Sequence, residues 1–160
     1  MERTTYRDLC LKASLPLLDD VIARFAGSAY LDIELKVSQL EQQVVSVLAQ
    51  HGAQRSLVVS SFLPKVLHAM RRALPELKLG YIADKSHQLS RWKTLPCDVV
   101  IAHFRLTTPS LVDPVHAAGK QLFVWTVNQR DEMLRFARMG ADGLISDDTK
   151  LLGRVFGGRD

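Results

Sequence analysis

Six short apolar segments with strand character begin near Leu31, Leu57, Leu79, Val99, Leu122 and Gly143, spaced 20–26 residues apart. Between them the apolar residues change period. Leu17, Leu18, Val21, Ile22 and Phe25 fall on one helical face, as do Leu63, Val66, Leu67 and Met70. Leu111, Val112 and Val115 form a third face closed by Gly119, and Met133, Leu134, Phe136 and Ala137 a fourth that Gly140 ends. Pro16 suits the first turn of the first helix. A strand followed by a helix at this interval predicts parallel β/α units in a single domain over residues 1–160, with no linker and no low-complexity segment. Spacing alone does not choose between an open doubly wound sheet and a closed barrel, which needs eight units and typically about 250 residues.

Composition narrows the function classes. With 47% hydrophobic and 24% charged residues the chain is an ordinary globular one. Its formal net charge of +4 is scattered. The densest basic cluster is Arg71-Arg72, with no basic stripe interleaved with aromatics, so nucleic acid is not an expected partner. No run reaches the apolar length of a membrane span, and the charged start lacks a signal-peptide core. A cytoplasmic location is expected. Cys10 and Cys97 have no metal-type spacing and read as reduced, packed thiols.

The stretch Tyr30–Lys36, YLDIELK, is the chemical anomaly. It alternates like a strand, with Leu31, Ile33 and Leu35 as the helix-facing set and Asp32, Glu34 and Lys36 on the other side. Buried unpaired charge is costly. The three residues therefore form the solvated face of an edge strand, an internal ion pair, or a site at the strand's carboxyl end, where barrels keep their chemistry.

YLDIELK resembles the Ile-Glu-x-Lys strand of the glycerophosphodiester phosphodiesterases. Four more segments resemble that family in its order: LPLLDDVI (15–22), LVVSSF (57–62), HAAGKQLFVWTVN (116–128) and GADGLISD (140–147). The resemblance covers the chain from about Leu15 onward. It implies an α/β, TIM-type (β/α) barrel of which about six of eight β/α units are present. It also implies hydrolysis of a small-molecule glycerophosphodiester to glycerol 3-phosphate and an alcohol with a divalent cation, Ca²⁺ or Mg²⁺.

Residue by residue, Glu34 matches a family metal ligand, with a structural ion pair to Lys36 as the competing account. Lys36 matches the lysine near the substrate phosphate. Trp125 matches an aromatic of the pocket and competes with a plain core role. Ser61 and Phe62 end a strand at the mouth, where they either line the pocket or pack the strand end. Asp142 and Asp147 read as turn and cap residues, and His103, which ends a strand, either faces the mouth or is a satisfied core or rim histidine, the latter being the expectation.

The family's two catalytic histidines, in His-Arg-Gly and His-Asp contexts, have no counterpart here, nor does its Glu-x-Asp, since Glu2 is followed at position 4 by threonine. The start ERTTYRDL resembles the segment after the family's His-Asp. No catalytic residue is therefore expected in this chain, and little or no turnover by it alone. Open barrel edges would favour an oligomer. Two alternatives stand beside the enzyme: a non-catalytic barrel remnant that binds a phosphate ligand or partner chain, and a relative of the phosphoinositide-type phospholipases C or sphingomyelinases D.

Overall fold

A computed structural model describes residues 15–52 and 57–157. Glu2, Cys10 and the ERTTYRDL start lie outside them.

Among the described residues six strands form one sheet: β1 (Leu31–Glu34), β2 (Leu57–Ser61), β3 (Lys78–Ala83), β4 (Val99–His103), β5 (Gln121–Trp125) and β6 (Gly143–Leu144). Every adjacent pair is parallel, and spatial order equals chain order. A doubly wound sheet reverses its order at a switch point. This one does not, so its topology is that of a barrel wall.

The helices are α1 (Leu18–Phe25), α2 (Glu41–His51), α3 (Pro64–Ala73), the short α4 (Ser86–Leu89), α5 (Pro109–Ala117), α6 (Arg130–Met139) and α7 (Thr149–Phe156). A 3₁₀ turn at Ser90–Lys93 follows α4, and another at Phe104–Leu106 follows β4. Of these, α2 and α7 have no strong sequence signal. Within α2 only Val44 and Leu48 are buried, too narrow a stripe to stand out.

Two apolar layers sandwich the sheet. On the helix side, Leu57, Val59, Leu79, Tyr81, Val100 and Leu122 meet Val66, Leu67 and Met70 of α3 and Val112 and Val115 of α5. Each fully buried aliphatic side chain of this kind contributes about 1.5–3 kcal/mol. On the inner side, Val58, Ile82, Val99 and Ile101 pack with Phe62, Phe123, Trp125 and Ile145. Strands covered on both faces read as continuous apolar runs, which is why β2 and β4 are conspicuous in the sequence. The inner layer is tight at β3: a Cβ on Gly80 would lie 2.7 Å from Ile101 Cδ1 and 3.1 Å from Ser60 Cβ.

At the amino edge one device occurs twice. Asp98 precedes β4, and its Oδ2 accepts the Leu79 N–H of β3 at 2.8 Å and the Arg71 guanidinium of α3 at 2.6 Å. Asp142 precedes β6, and its Oδ2 accepts the Leu122 N–H of β5 at 2.7 Å and pairs with His116 Nε2 of α5 at 2.9 Å. In each case one carboxylate at the start of a strand ties that strand to its neighbour and to the helix that leads into the neighbour. Arg71 also donates to the carbonyls of Pro75, Leu77 and Pro96. The basic cluster seen in the sequence is therefore in part a structural clamp.

Large exposed apolar residues gather at the two ends of the sheet. Leu15, Leu17, Phe25, Tyr30, Val37 and Leu40 flank β1, and Phe156 ends the helix after β6. Among the described residues no helix is long and apolar enough to cross a membrane.

The clamp makes a prediction. Asp98→Ala strips the acceptor from a strand N–H and from Arg71, and should cost about 1–3 kcal/mol in urea unfolding. Asp98→Asn keeps an acceptor oxygen and should lose less. Equal losses would show that charge, and not acceptance of the Leu79 N–H, is what counts.

Candidate functional site at the carboxyl edge

Because all strands run the same way, their carboxyl ends share one edge of the sheet. That edge collects Glu34 from β1, the residues after β2, His103 from β4 and Trp125 from β5.

The charged face of YLDIELK divides into unlike parts. Leu35 is buried in the helix-side core, against which Leu31 and Ile33 also pack, as the alternation predicts. Asp32 and Glu34 take the opposite face. Asp32 Oδ1 accepts a hydrogen bond from Ser60 Oγ at 2.6 Å. Much of the Asp32 surface remains open, yet its crowded surroundings raise its carboxyl pKa. Desolvation is the main cause, the Ser60 hydrogen bond opposes it, and the Glu34 charge adds to it.

The strand itself is shorter than the motif and stops at Glu34. Lys36 therefore stands in the loop beyond, with a 78% exposed side chain, and its Nζ lies 3.7 Å from Glu34 Oε2. An ion pair this open is worth little to stability, so its lysine is available to a ligand.

Ser61 and Phe62 are adjacent but differently placed. Ser61 is fully buried. Its hydroxyl donates to the Leu35 carbonyl at 2.6 Å and accepts the Leu63 N–H at 3.1 Å. It thus holds the turn after β1 and the entry to α3 from beneath. Phe62 turns to the inner layer and meets Trp125 edge to face, with centroids 5.6 Å apart at 79°. Trp125 in turn packs edge to face on His103 at 5.3 Å and 86°. The Trp125 indole N–H is committed to the Ile101 carbonyl at 3.3 Å. The edge thus carries a charged corner at β1 and an aromatic wall along β2, β4 and β5.

Sequence reasoning leaves two members of this edge without a role. Asp32 falls in with the charged face, and its Ser60 partner lies too far along the chain to be inferred. His103 reads as a core or rim residue in preference to one facing the mouth. Asp147 bonds Asn128 Nδ2 at 2.9 Å in the loops after β5 and β6, whereas the cap of α7 is Asp148, whose Oδ1 accepts the Leu151 N–H at 2.8 Å.

A calcium ion takes six to eight oxygens and magnesium six. Among the described residues no three His, Cys, Asp or Glu side chains converge as a metal site. Glu34 is a chemically suitable oxygen donor, but the described residues alone do not complete a donor set.

A family model described as the glycerophosphoryl diester phosphodiesterase family matches residues 4–151. A glycerophosphodiester phosphodiesterase of Caldanaerobacter subterraneus subsp. tengcongensis is 25% identical over 149 residues, 86% of this chain and 60% of that protein. Among solved structures, a phosphodiesterase of Oleispira antarctica in complex with the product sn-glycerol-3-phosphate matches with a TM-score of 0.74 at 26% identity, over 89% of this chain and 62% of that one. A glycerophosphodiester phosphodiesterase of Thermotoga maritima matches in fold with a TM-score of 0.77 at 18% identity, over 94% of this chain and 69% of that one. The chain spans between 44% and 60% of the length of the curated relatives it matches.

The placement of Ser61 makes a prediction. Ser61→Ala leaves a buried carbonyl and a half-buried N–H without their partner and should lower unfolding free energy by about 1–3 kcal/mol. Urea unfolding checks it, and an unchanged stability would show that these two hydrogen bonds carry no net weight.

Proposed function

The chain belongs to the glycerophosphoryl diester phosphodiesterase family, and from that premise we propose that its carboxyl edge binds the glycerol 3-phosphate half of a glycerophosphodiester. The proposed reaction is hydrolysis to glycerol 3-phosphate and an alcohol. The observation that carries the reading is that the Glu34–Lys36 pair and the Phe62–Trp125 ring pair lie along the same edge of the sheet. The Oleispira relative with its bound sn-glycerol-3-phosphate supports the same ligand chemistry.

In that reaction a water oxygen bonds to phosphorus, the phosphorus–oxygen bond to the alcohol breaks, and the departing oxygen takes a proton. Negative charge is concentrated on the phosphoryl oxygens in the transition state. Lys36, on a long and exposed stem, turns its ammonium to those oxygens and offsets the charge. Phe62 and Trp125 supply an apolar wall for the carbon skeleton and exclude water beside it. Ser61 keeps the loop before Lys36 in place.

The resemblance also calls for Ca²⁺ or Mg²⁺ with Glu34 as one oxygen donor. When bound, such an ion polarises a phosphoryl oxygen. Neither its remaining donors nor the family's two proton-transfer histidines have a counterpart among the described residues. The 160-residue chain alone then turns over little or no substrate. A second reading, a barrel remnant that binds a phosphate ligand without turnover, draws on one observation: no metal cluster converges among the described residues.

Two assays test this. Glycerophosphocholine and glycerophosphoethanolamine are offered to the chain with Ca²⁺ or Mg²⁺, and released glycerol 3-phosphate is measured by a coupled dehydrogenase. Binding of glycerol 3-phosphate is measured by calorimetry. Saturable binding, weakened about tenfold by Lys36→Ala as one charge-assisted contact is lost, is the expected result. Absence of binding to wild type sinks the ligand assignment. Turnover that survives Glu34→Ala sinks the role given to Glu34.

A further inference from the structure

The sequence contains five histidines. Two are accounted for by carboxylates: His51 Nε2 lies 2.8 Å from Asp19 Oδ1, and His116 Nε2 lies 2.9 Å from Asp142 Oδ2. His68 and His87 stand exposed on α3 and α4, in the outer helix layer. His103 alone faces the inner side at the carboxyl edge. It continues the inward set Val99 and Ile101, and its register partner on β5 is Trp125.

The His103 ring is held on three sides. Trp125 meets it edge to face, Phe104 lies tilted against it with centroids 4.5 Å apart, and the Arg105 N–H donates to its Nδ1 at 3.2 Å. The last contact decides the chemistry. A ring nitrogen that accepts an N–H must present its lone pair, so the single proton of the neutral imidazole sits on Nε2. Nε2 makes no hydrogen bond among the described residues. Trp125 cannot play the same part, because its N–H is already given to Ile101.

We propose that His103 contacts ligand directly, as a neutral donor of fixed tautomer whose Nε2–H is given to an acceptor oxygen of a polyol phosphate bound at this edge. The assignment rests on the glycerophosphodiester reading above and adds to it a residue that the motif matches did not mark. It also excludes a role. The nitrogen able to accept a proton, Nδ1, is spent on the backbone, so His103 orients ligand and does not act as a general base. The edge then offers two kinds of recognition: a mobile charge at Lys36, and a rigid uncharged donor set in the aromatic wall.

The test uses the 160-residue chain and two variants. Phenylalanine at 103 keeps a ring against Trp125 and Phe104 and removes both nitrogens. Glutamine places an amide N–H₂ near the position of Nε2. Long-range ¹H–¹⁵N NMR of histidine-labelled protein at about pH 8, where an ordinary imidazole is neutral, reads the tautomer without any ligand. The expected results are an Nε2–H tautomer, glycerol 3-phosphate affinity lowered about tenfold in His103→Phe, and recovery of most of that loss in His103→Gln. An Nδ1–H tautomer overturns the proposal. So does an unchanged affinity in His103→Phe, or an equal loss in both variants when thermal melts show both folded. Wild type that binds no glycerol 3-phosphate overturns the underlying functional reading, and this one with it. Wild type that binds normally beside an unaffected His103→Phe overturns only the role of His103.

Discussion

The joins between successive parallel strands carry the rest of the molecule. Parallel pairing is slightly weaker per residue than antiparallel pairing and returns each strand only through a crossover helix. The chain reinforces it where strands begin. Asp98 and Asp142 each take a neighbouring strand's N–H together with a side-chain nitrogen from the helix that feeds that neighbour. Strand, neighbour and crossover are thereby fixed in one contact at the amino edge. With that edge tied and no reversal of order, the carboxyl ends have nowhere to go but a common rim. Glu34, Phe62, His103 and Trp125 lie far apart in the chain and share that rim as a consequence of direction alone.

How much of this is legible in the sequence depends on burial. Strands β2 and β4 are covered on both faces and announce themselves as apolar runs. The apolar pattern puts two starts one residue late, at Leu79 and Leu122, because the true first residues, Lys78 and Gln121, are polar. They bond each other at 3.1 Å on the inner side, a partnership that no local pattern encodes. Glycines that read as helix ends behave so, with Gly119 at φ +70° and Gly140 at φ +102°. Helix α2 leaves no clear signal because two buried residues do not make a periodic face. The contacts of Arg71 are equally silent, because the Pro96 carbonyl and Asp98 approach it from the far side of a strand.

The site divides the same way. Glu34 and Lys36 are two residues apart, so a motif suffices to single them out. Ser61 and Phe62 are neighbours in a strand end, and alternation sends them to opposite layers: one disappears under the loop and the other joins the wall. A sequence motif marks both equally. Only the pleat separates the residue that can touch ligand from the one that holds the loop in place.

This division has a consequence for selectivity. An exposed ammonium such as Lys36 gains little from a partner in water, since it gives up rotamer freedom and is screened by salt. It responds to any anion of suitable reach and discriminates poorly among them. The wall across the rim is different. Phe62, Trp125 and His103 brace one another ring against ring, and the polar atoms of Trp125 and of His103 Nδ1 are satisfied internally. Such a surface gives up little freedom when ligand arrives, so shape and a single well-aimed donor can count at full value. On the function proposed above, attraction of a phosphate would fall to the mobile lysine and choice among phosphates to the rigid rings, which are the part of the rim that the fold itself holds still.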